Sequence, residues 1–272
     1  MAFVIDVDPV AFRVAGLDIR WYGLTLAIAM LVAYAVADHE ARRRRLPASI
    51  VADAVTWVAI AALAGGRLLY MLQNGLPDLA EHPAHVFMVW TGGLSFYGGL
   101  VAGLLAIVAL ARRRGIDWLT ALDVAAPAAA IGQAIGHVGC LIGGDSAGIP
   151  TTVPWAVVYR NPAAMAPLNT PLHPTQAYEA IALLGLFLAL WAVRRRTPFM
   201  APGALAAAYL GGLAAIRFLL FFLRDEPSVL LGLKTAQLIG IAIGIAAVGL
   251  AVIARRRACP VIAPSAHLEV TA

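Results

Sequence analysis

Residues 92–114 read GGLSFYGGLVAGLLAIVALARRR: twenty positions without a charge, then three arginines in a row. At about 1.5 Å per residue, a helix of that length crosses a hydrocarbon core of about 30 Å, and the arginines mark where it leaves. The unit recurs. Four runs, Arg42–Arg45, Arg112–Arg114, Arg194–Arg196 and Arg255–Arg257, hold 13 of the 20 basic residues, and apolar stretches fill the space between them. The 272-residue chain is 61% hydrophobic and 13% charged, with a mean hydropathy of +0.83. Soluble domains are nearer one-quarter charged, which excludes that class. Transmembrane β-strands alternate apolar with polar positions, which excludes a membrane barrel.

The pattern predicts an all-α membrane protein with seven transmembrane helices, at about 22–39, 50–73, 92–111, 119–144, 175–193, 201–223 and 233–254. The arginine runs follow spans one, three, five and seven, so all four fall on one side. The positive-inside rule makes that side cytoplasmic. The N-terminus and the segments 74–91, 145–174 and 224–232 then face outward, and the C-terminus inward. Residues 1–257 read as one domain, and 258–272 as a disordered cytoplasmic tail. The first ten residues carry Asp6 and Asp8 and no basic run, so no cleavable signal peptide is expected. The extracytoplasmic segment 145–174, with Pro150, Pro154, Pro162, Pro167, Pro171 and Pro174, is too proline-rich for a helix. Its stretch Val153–Tyr159 is a candidate short strand. Cys140 and Cys259 fall on opposite faces and form no disulfide framework. The net charge of +5 sits beside hydrophobic spans, where it sets topology, so nucleic acid is not an expected partner.

Ionisable groups inside spans cost about 2.5–3.5 kcal/mol on insertion scales, so each needs a reason. Tyr22, Arg67, Tyr97, His137, Glu179, Arg217 and Gln237 all fall near the outer end of their spans, one per span. Single residues have plain explanations: Arg67 and Arg217 can snorkel to headgroups, and His137 can bond a neighbouring carbonyl. Seven at one depth point instead to a polar cavity in the outer leaflet, entered from the lipid. Guanidinium groups suit a phosphate, and the nearest anion at that depth is a phospholipid headgroup. Gly132 and Gly136 suit close helix packing. Gly143-Gly144-Asp145 breaks span four and opens backbone N–H groups at the rim of the cavity. Cys140 reads as a small packing residue.

These residues carry a resemblance. Asp8-Pro-Val-Ala-Phe12 with Ile19-Arg-Trp-Tyr-Gly23, Gly65-Gly-Arg67, Gly92-Gly-Leu-Ser-Phe-Tyr-Gly-Gly99, His173-Pro-Thr-Gln-Ala-Tyr-Glu179, Arg217-Phe and Phe222-Leu-Arg224 are similar, in order and spacing, to motifs of the prolipoprotein diacylglyceryl transferases. The match runs over about residues 8–255. It implies seven spans, an outward N-terminus, residence in the bacterial plasma membrane, and no metal or organic cofactor. It also implies the reaction: the diacylglyceryl group of phosphatidylglycerol moves to the lipobox cysteine thiol of a prolipoprotein, whose signal peptide is the partner, and glycerol phosphate leaves. By resemblance Arg217 holds phosphate, Arg67 and Arg224 assist, and Tyr22 lines the lipid site. Gly144, Asp145, Gly148, His173, Gln176, Glu179 and Gln237 complete the expected substrate site. For His173 and Glu179, a capping and positioning role at the start of span five is expected over acid–base work.

Span four departs from the family pattern Gly-Arg-x-Gly-Asn-Phe-x-Asn-Gly-Glu-x-x-Gly. His137 stands for the arginine, Cys140 and Gly143 for asparagines and Asp145 for the glutamate, while Gly136, Gly139, Gly144 and Gly148 are kept. Tyr97 stands where many members have a histidine, and Phe221 where an acidic residue is typical. Two accounts follow. In one, His137 is the base or a protonated phosphate ligand, Tyr97 gives a hydrogen bond, and the catalytic set is His137, Tyr97 and Arg217. In the other, the chain is a divergent relative that binds phospholipid but uses another acceptor or does no chemistry. A lipid transporter is a third class, disfavoured by the absence of a repeat and by a polar belt confined to one leaflet.

Overall fold

In hydrocarbon a backbone satisfies its own N–H and C=O groups only as a helix or a closed barrel, so each charge-free run folds as a helix. The computed structural model describes residues 2–14, 16–74, 93–196 and 201–258. Among them seven helices are long and apolar enough to span a membrane: α1 (Trp21–Arg43), α2 (Ile50–Asn74), α3 (Phe96–Arg113), α4 (Trp118–Gly143), α5 (Thr175–Val193), α6 (Ala204–Leu220) and α7 (Thr235–Ala258). The differences from the sequence boundaries have local causes. Helix α1 runs on to Arg43, because basic residues are favourable at a helix C-terminus. Helix α3 begins at Phe96 rather than 92, since Gly93 takes φ +75° and Ser95 is extended. Gly203 takes φ +92° and delays α6, which ends in a 3-10 turn, Phe221–Leu223. Leu233–Lys234 is a strand, so α7 starts at Thr235. Most of the expected 74–91 loop, Gly92, Cys259 and the rest of the tail lie outside the described residues.

Helix α4 is central and packs against α1, α3, α5 and α6. Its Ala126, Ala130 and Ala134 meet Leu183 and Leu190 of α5 and Leu205, Tyr209 and Leu213 of α6 in the main core. Small residues set the closest crossings, as expected where lipid gives helices no hydrophobic drive to associate. A Cβ on Gly98 would lie 2.9 Å from the carbonyl carbon of Gly65, fixing α3 on α2. The sequence reading gave close helix packing to Gly132 and Gly136, and the helix that α4 meets there is α1. Gly132 does face Ala33, but Gly136 has open space, and Gly139 makes the tight contact. A Cβ on Gly139 would sit 3.1 Å from Tyr22 Cα and overlap the Thr25 side chain. Gly139→Val is expected to cost about 1–3 kcal/mol, read as a lower melting temperature in detergent, with Gly136→Ala unchanged.

Ion pairs bring the four arginine runs to one end of the bundle. Glu40 is fully buried and pairs with Arg43, Arg44 (3.0 Å) and Arg194 (3.6 Å). Arg44 also reaches Asp123 at 3.2 Å, and Asp123 accepts from the Gly203 and Ala206 amides at 2.9 Å each, capping α6. Arg114 pairs with Asp53 and Arg257 with Asp117. The far end carries short sheets. Strand β1 (Phe3–Ile5) pairs in parallel with β4 (Val157–Tyr159), β2 (Val10–Val14) pairs with β3 (Leu17–Arg20), and β5 (Ser228–Leu230) with β6 (Leu233–Lys234). The expected strand 153–159 contracts to its last three residues, for Pro154 has no N–H to give a ladder. Burial pushes the Tyr159 hydroxyl above the ordinary phenol range. It stays a donor, bonding Leu141 O on α4 at 2.8 Å and anchoring this segment to the bundle.

Candidate functional site

At the far end one carboxylate collects the cations. Glu179 lies in the second turn of α5 and is fully buried. Arg224, just beyond the 3-10 turn, donates from a terminal nitrogen to Glu179 Oε2 at 2.6 Å. Arg217 of α6 brings Nε to 3.5 Å from Oε1. His137 of α4 brings Nδ1 to 3.2 Å from Oε2, at ion-pair distance but without hydrogen-bond alignment. Both arginines are themselves buried and lie over aromatic rings: Arg217 over Phe96 at 4.4 Å and Arg224 over Phe221 at 4.5 Å. One anion against two arginines leaves the cluster net positive. Arg217 uses its Nε edge on Glu179 and makes no hydrogen bond to protein among the described residues, so its fork is open to an oxyanion.

Tyr97 joins this group. Its hydroxyl is buried without a hydrogen-bond partner among the described residues, within electrostatic reach of Arg217, Glu179 and Arg224. Gln176 is fully buried one turn before Glu179 and donates to Asp145 O at 2.7 Å, while Thr175 donates to Ser146 O at 2.8 Å. Gly144 takes φ +78° to end α4, and a Cβ there would meet Ala166 N at 3.0 Å. The chain leaving α4 is thereby tied to α5 beside the cluster. Tyr22 lies near this exit, with Cys140 and Asp145 in electrostatic reach of its hydroxyl.

Other expected members have these contacts within the protein. Arg67 is buried and donates to Gly93 O at 3.3 Å, beside the Tyr70 ring, which fixes α2 to the start of α3. Gln237 is consumed by the backbone: Oε1 accepts from Lys234 N and Nε2 donates to Phe218 O. Gly148 is a close-approach glycine, its N–H on His173 O and its missing Cβ replaced by His173 and Leu223. His173 meets Tyr178 at 3.3 Å, and Tyr178 accepts from Trp155. The capping role expected for His173 and Glu179 is corrected: α5 starts on Pro174 with no side-chain cap, and Glu179 is the hub of the ion cluster.

The expected polar cavity also takes another form. Several of the polar groups pair with one another, and two cavities in the bundle have largely apolar walls that include none of Arg67, Arg217 or His137. One, of about 160 Å³, lies among α2, α3, α4 and α6, with Gly99, Leu100, Ala129 and Tyr209 on its wall. A second, of about 280 Å³, lies between α4 and α5, lined by Ala134, Val138 and Ile181. Sequence reasoning passed over Gln133, which donates to Tyr209 Oη at 2.5 Å. The i, i+4 spacing from Gln133 to His137 was the available signal.

A buried cationic cluster in a bundle that also holds apolar cavities suits a phospholipid. A profile of the family described as prolipoprotein diacylglyceryl transferase matches residues 9–253. The chain belongs to that family. It is 39% identical over 231 residues to the phosphatidylglycerol–prolipoprotein diacylglyceryl transferase of Geobacter sulfurreducens, covering 84% of this chain and 85% of the relative. Proteins of the same name from Synechococcus elongatus and Methylococcus capsulatus are 33% and 35% identical, over 86% and 83% of this chain and 82% and 85% of theirs. In this diacylglyceryl transferase family member, His137 lies against Glu179 with Arg217 and Arg224 around it. The substituted span-four residue is thus one member of the cluster around Glu179.

Proposed function

We propose that the protein transfers the diacylglyceryl group of phosphatidylglycerol to the lipobox cysteine thiol of a prolipoprotein, at the outer face of the bacterial plasma membrane. The arginine runs face the cytoplasm, by the positive-inside rule, and the Glu179 cluster faces outward. The observation that carries the reading is the buried carboxylate that sets Arg217, Arg224 and His137 around one point. The thiol sulfur attacks the glycerol carbon that bears the phosphate. A C–S bond forms, the C–O bond to phosphate breaks, and the thiol proton passes to His137. Glycerol phosphate leaves with the bonding pair, its charge held by the open fork of Arg217. Glu179 near Nδ1 favours the tautomer with the proton there, which leaves Nε2 as the base. Tyr97 supplies a hydrogen bond to the phosphate.

The test is direct. Purified protein, phosphatidylglycerol vesicles and a lipobox peptide are incubated, and the peptide mass is followed. A diacylglyceryl adduct on the cysteine is expected, and its absence overturns the reading. In the same assay Tyr97→Phe, which removes one hydrogen bond, is expected to slow transfer about tenfold without abolishing it.

A further inference from the structure

Gln133 and Tyr209 make a polar pair within the apolar bundle, linking α4 to α6 at 2.5 Å. Nothing in the ion cluster uses it. Tyr209 is buried, and Gln133 Oε1 is buried with no hydrogen-bond partner among the described residues. A half-satisfied amide at that depth is costly unless something completes it. Amide oxygen and nitrogen are interchangeable in shape, but either assignment leaves a proton to give. With Nε2 donating to the phenol, the phenol hydrogen has no acceptor; with the phenol donating to Oε1, the amide hydrogens are left.

The surroundings name the acceptor. Tyr209 is the one polar side chain on the wall of the 160 Å³ cavity, among the described residues. The α4 wall of that cavity includes Leu122, Ala126 and Ala129. The same helical line continues through Gln133 to His137. On α6, Tyr209 stands two turns before Arg217. Along α4 the cavity wall, the polar pair and the cationic cluster therefore follow in that order toward the far end, and Tyr209 puts the pair in contact with the cavity. A glycerophospholipid has the same order: acyl chain, ester carbonyls, phosphate. Its ester carbonyls lie one glycerol unit from the phosphate, about 5 Å at ~1.5 Å per bond. Gln133 lies about 6 Å deeper than His137 by helical rise.

We infer that the Gln133–Tyr209 pair donates a hydrogen bond to an acyl ester carbonyl of the donor lipid and so holds the phosphate-bearing glycerol carbon in front of the thiol. The inference rests on the transferase reading above. It makes the pair a specificity device, since an ether-linked lipid has the chains and the phosphate but no carbonyl.

The experiment compares diacyl and dialkyl phosphatidylglycerol of equal chain length as donors to the lipobox peptide. The enzymes are the wild type, Gln133→Leu, Tyr209→Phe and the double variant, all in vesicles. The wild type is expected to prefer the diester about tenfold. The double variant is expected to lose that preference through a slower diester rate, with the diether rate unchanged. If Gln133→Leu does not fold, Tyr209→Phe alone carries the comparison, since it keeps the ring in the core. Equal losses on both donors would make the pair structural and overturn the inference, as would a wild type indifferent to the linkage. A wild type that transfers from neither donor removes the transferase reading itself, and the inference with it.

Discussion

Glu179→Ala is expected to lower the transfer rate by about 10²–10³-fold and the melting temperature as well. The side chain is the common anion of Arg217, Arg224 and His137. Its removal leaves two buried guanidinium groups facing each other with nothing between them. Breaking a buried pair by deleting one partner costs about 3–5 kcal/mol, because the other charge stays desolvated. Part of that cost is relieved by movement of the arginines, and movement is what the reaction does not tolerate. An anion-holding group displaced by about 1 Å loses about 100-fold. Glu179→Gln separates charge from shape. It retains an oxygen for Arg224, so it is expected to fold better than the alanine variant yet still transfer slowly. Both are measured by peptide mass in the lipobox assay and by melting in detergent. Glu179→Ala with wild-type rate and melting would mean that the cluster is held by other contacts.

The seven helices were legible because a span is a statement about length and charge, and both are read without neighbours. Boundaries shifted where the backbone turned on a glycine, at Gly93 and Gly203, where a strand took the end, at Leu233–Lys234, and where a helix ran on into its arginine run, as α1 does to Arg43. The depth of the polar residues was legible too, since rise per residue converts position to height. Azimuth was not. Gln237 and Arg67 share the height of Glu179, yet Gln237 turns to Lys234 and Phe218, and Arg67 to Gly93. Depth alone could not say which of these groups meet at Glu179. Glu179 was misjudged for the same reason: its place near a helix start suggested a cap, whereas its partners come from α4 and from the far end of α6, more than 35 residues away in sequence on either side. Glu40 escaped notice because it falls one residue beyond the assigned end of span one. Its burial under three arginines depends on α5 bringing Arg194 alongside.

His137→Ala is expected to abolish measurable transfer near neutral pH, a loss of about 10²–10⁴-fold if the imidazole takes the thiol proton. The pH dependence carries the sign. A base works as neutral imidazole, so the wild-type rate should rise with pH and level off once the ring is deprotonated. A protonated phosphate ligand would do the opposite, with activity falling over the same range. The alanine variant should lose that limb and keep only the dependence of the thiol itself, whose ordinary pKa of about 8.5 allows partial recovery in alkaline solution. His137→Arg restores the family's residue at this position and sharpens the comparison. It returns a permanent cation beside Glu179 but no proton acceptor. If His137 is the base, the arginine variant stays slow at neutral pH and follows the alanine variant upward. If the position needs only positive charge, the arginine variant is as fast as the wild type and its falling limb disappears. Initial rates from pH 5 to 9 for the three proteins separate these outcomes. Geometry favours the first: Nδ1 faces a carboxylate that already has two arginines, so a third cation there adds little, while Nε2 is left for the thiol.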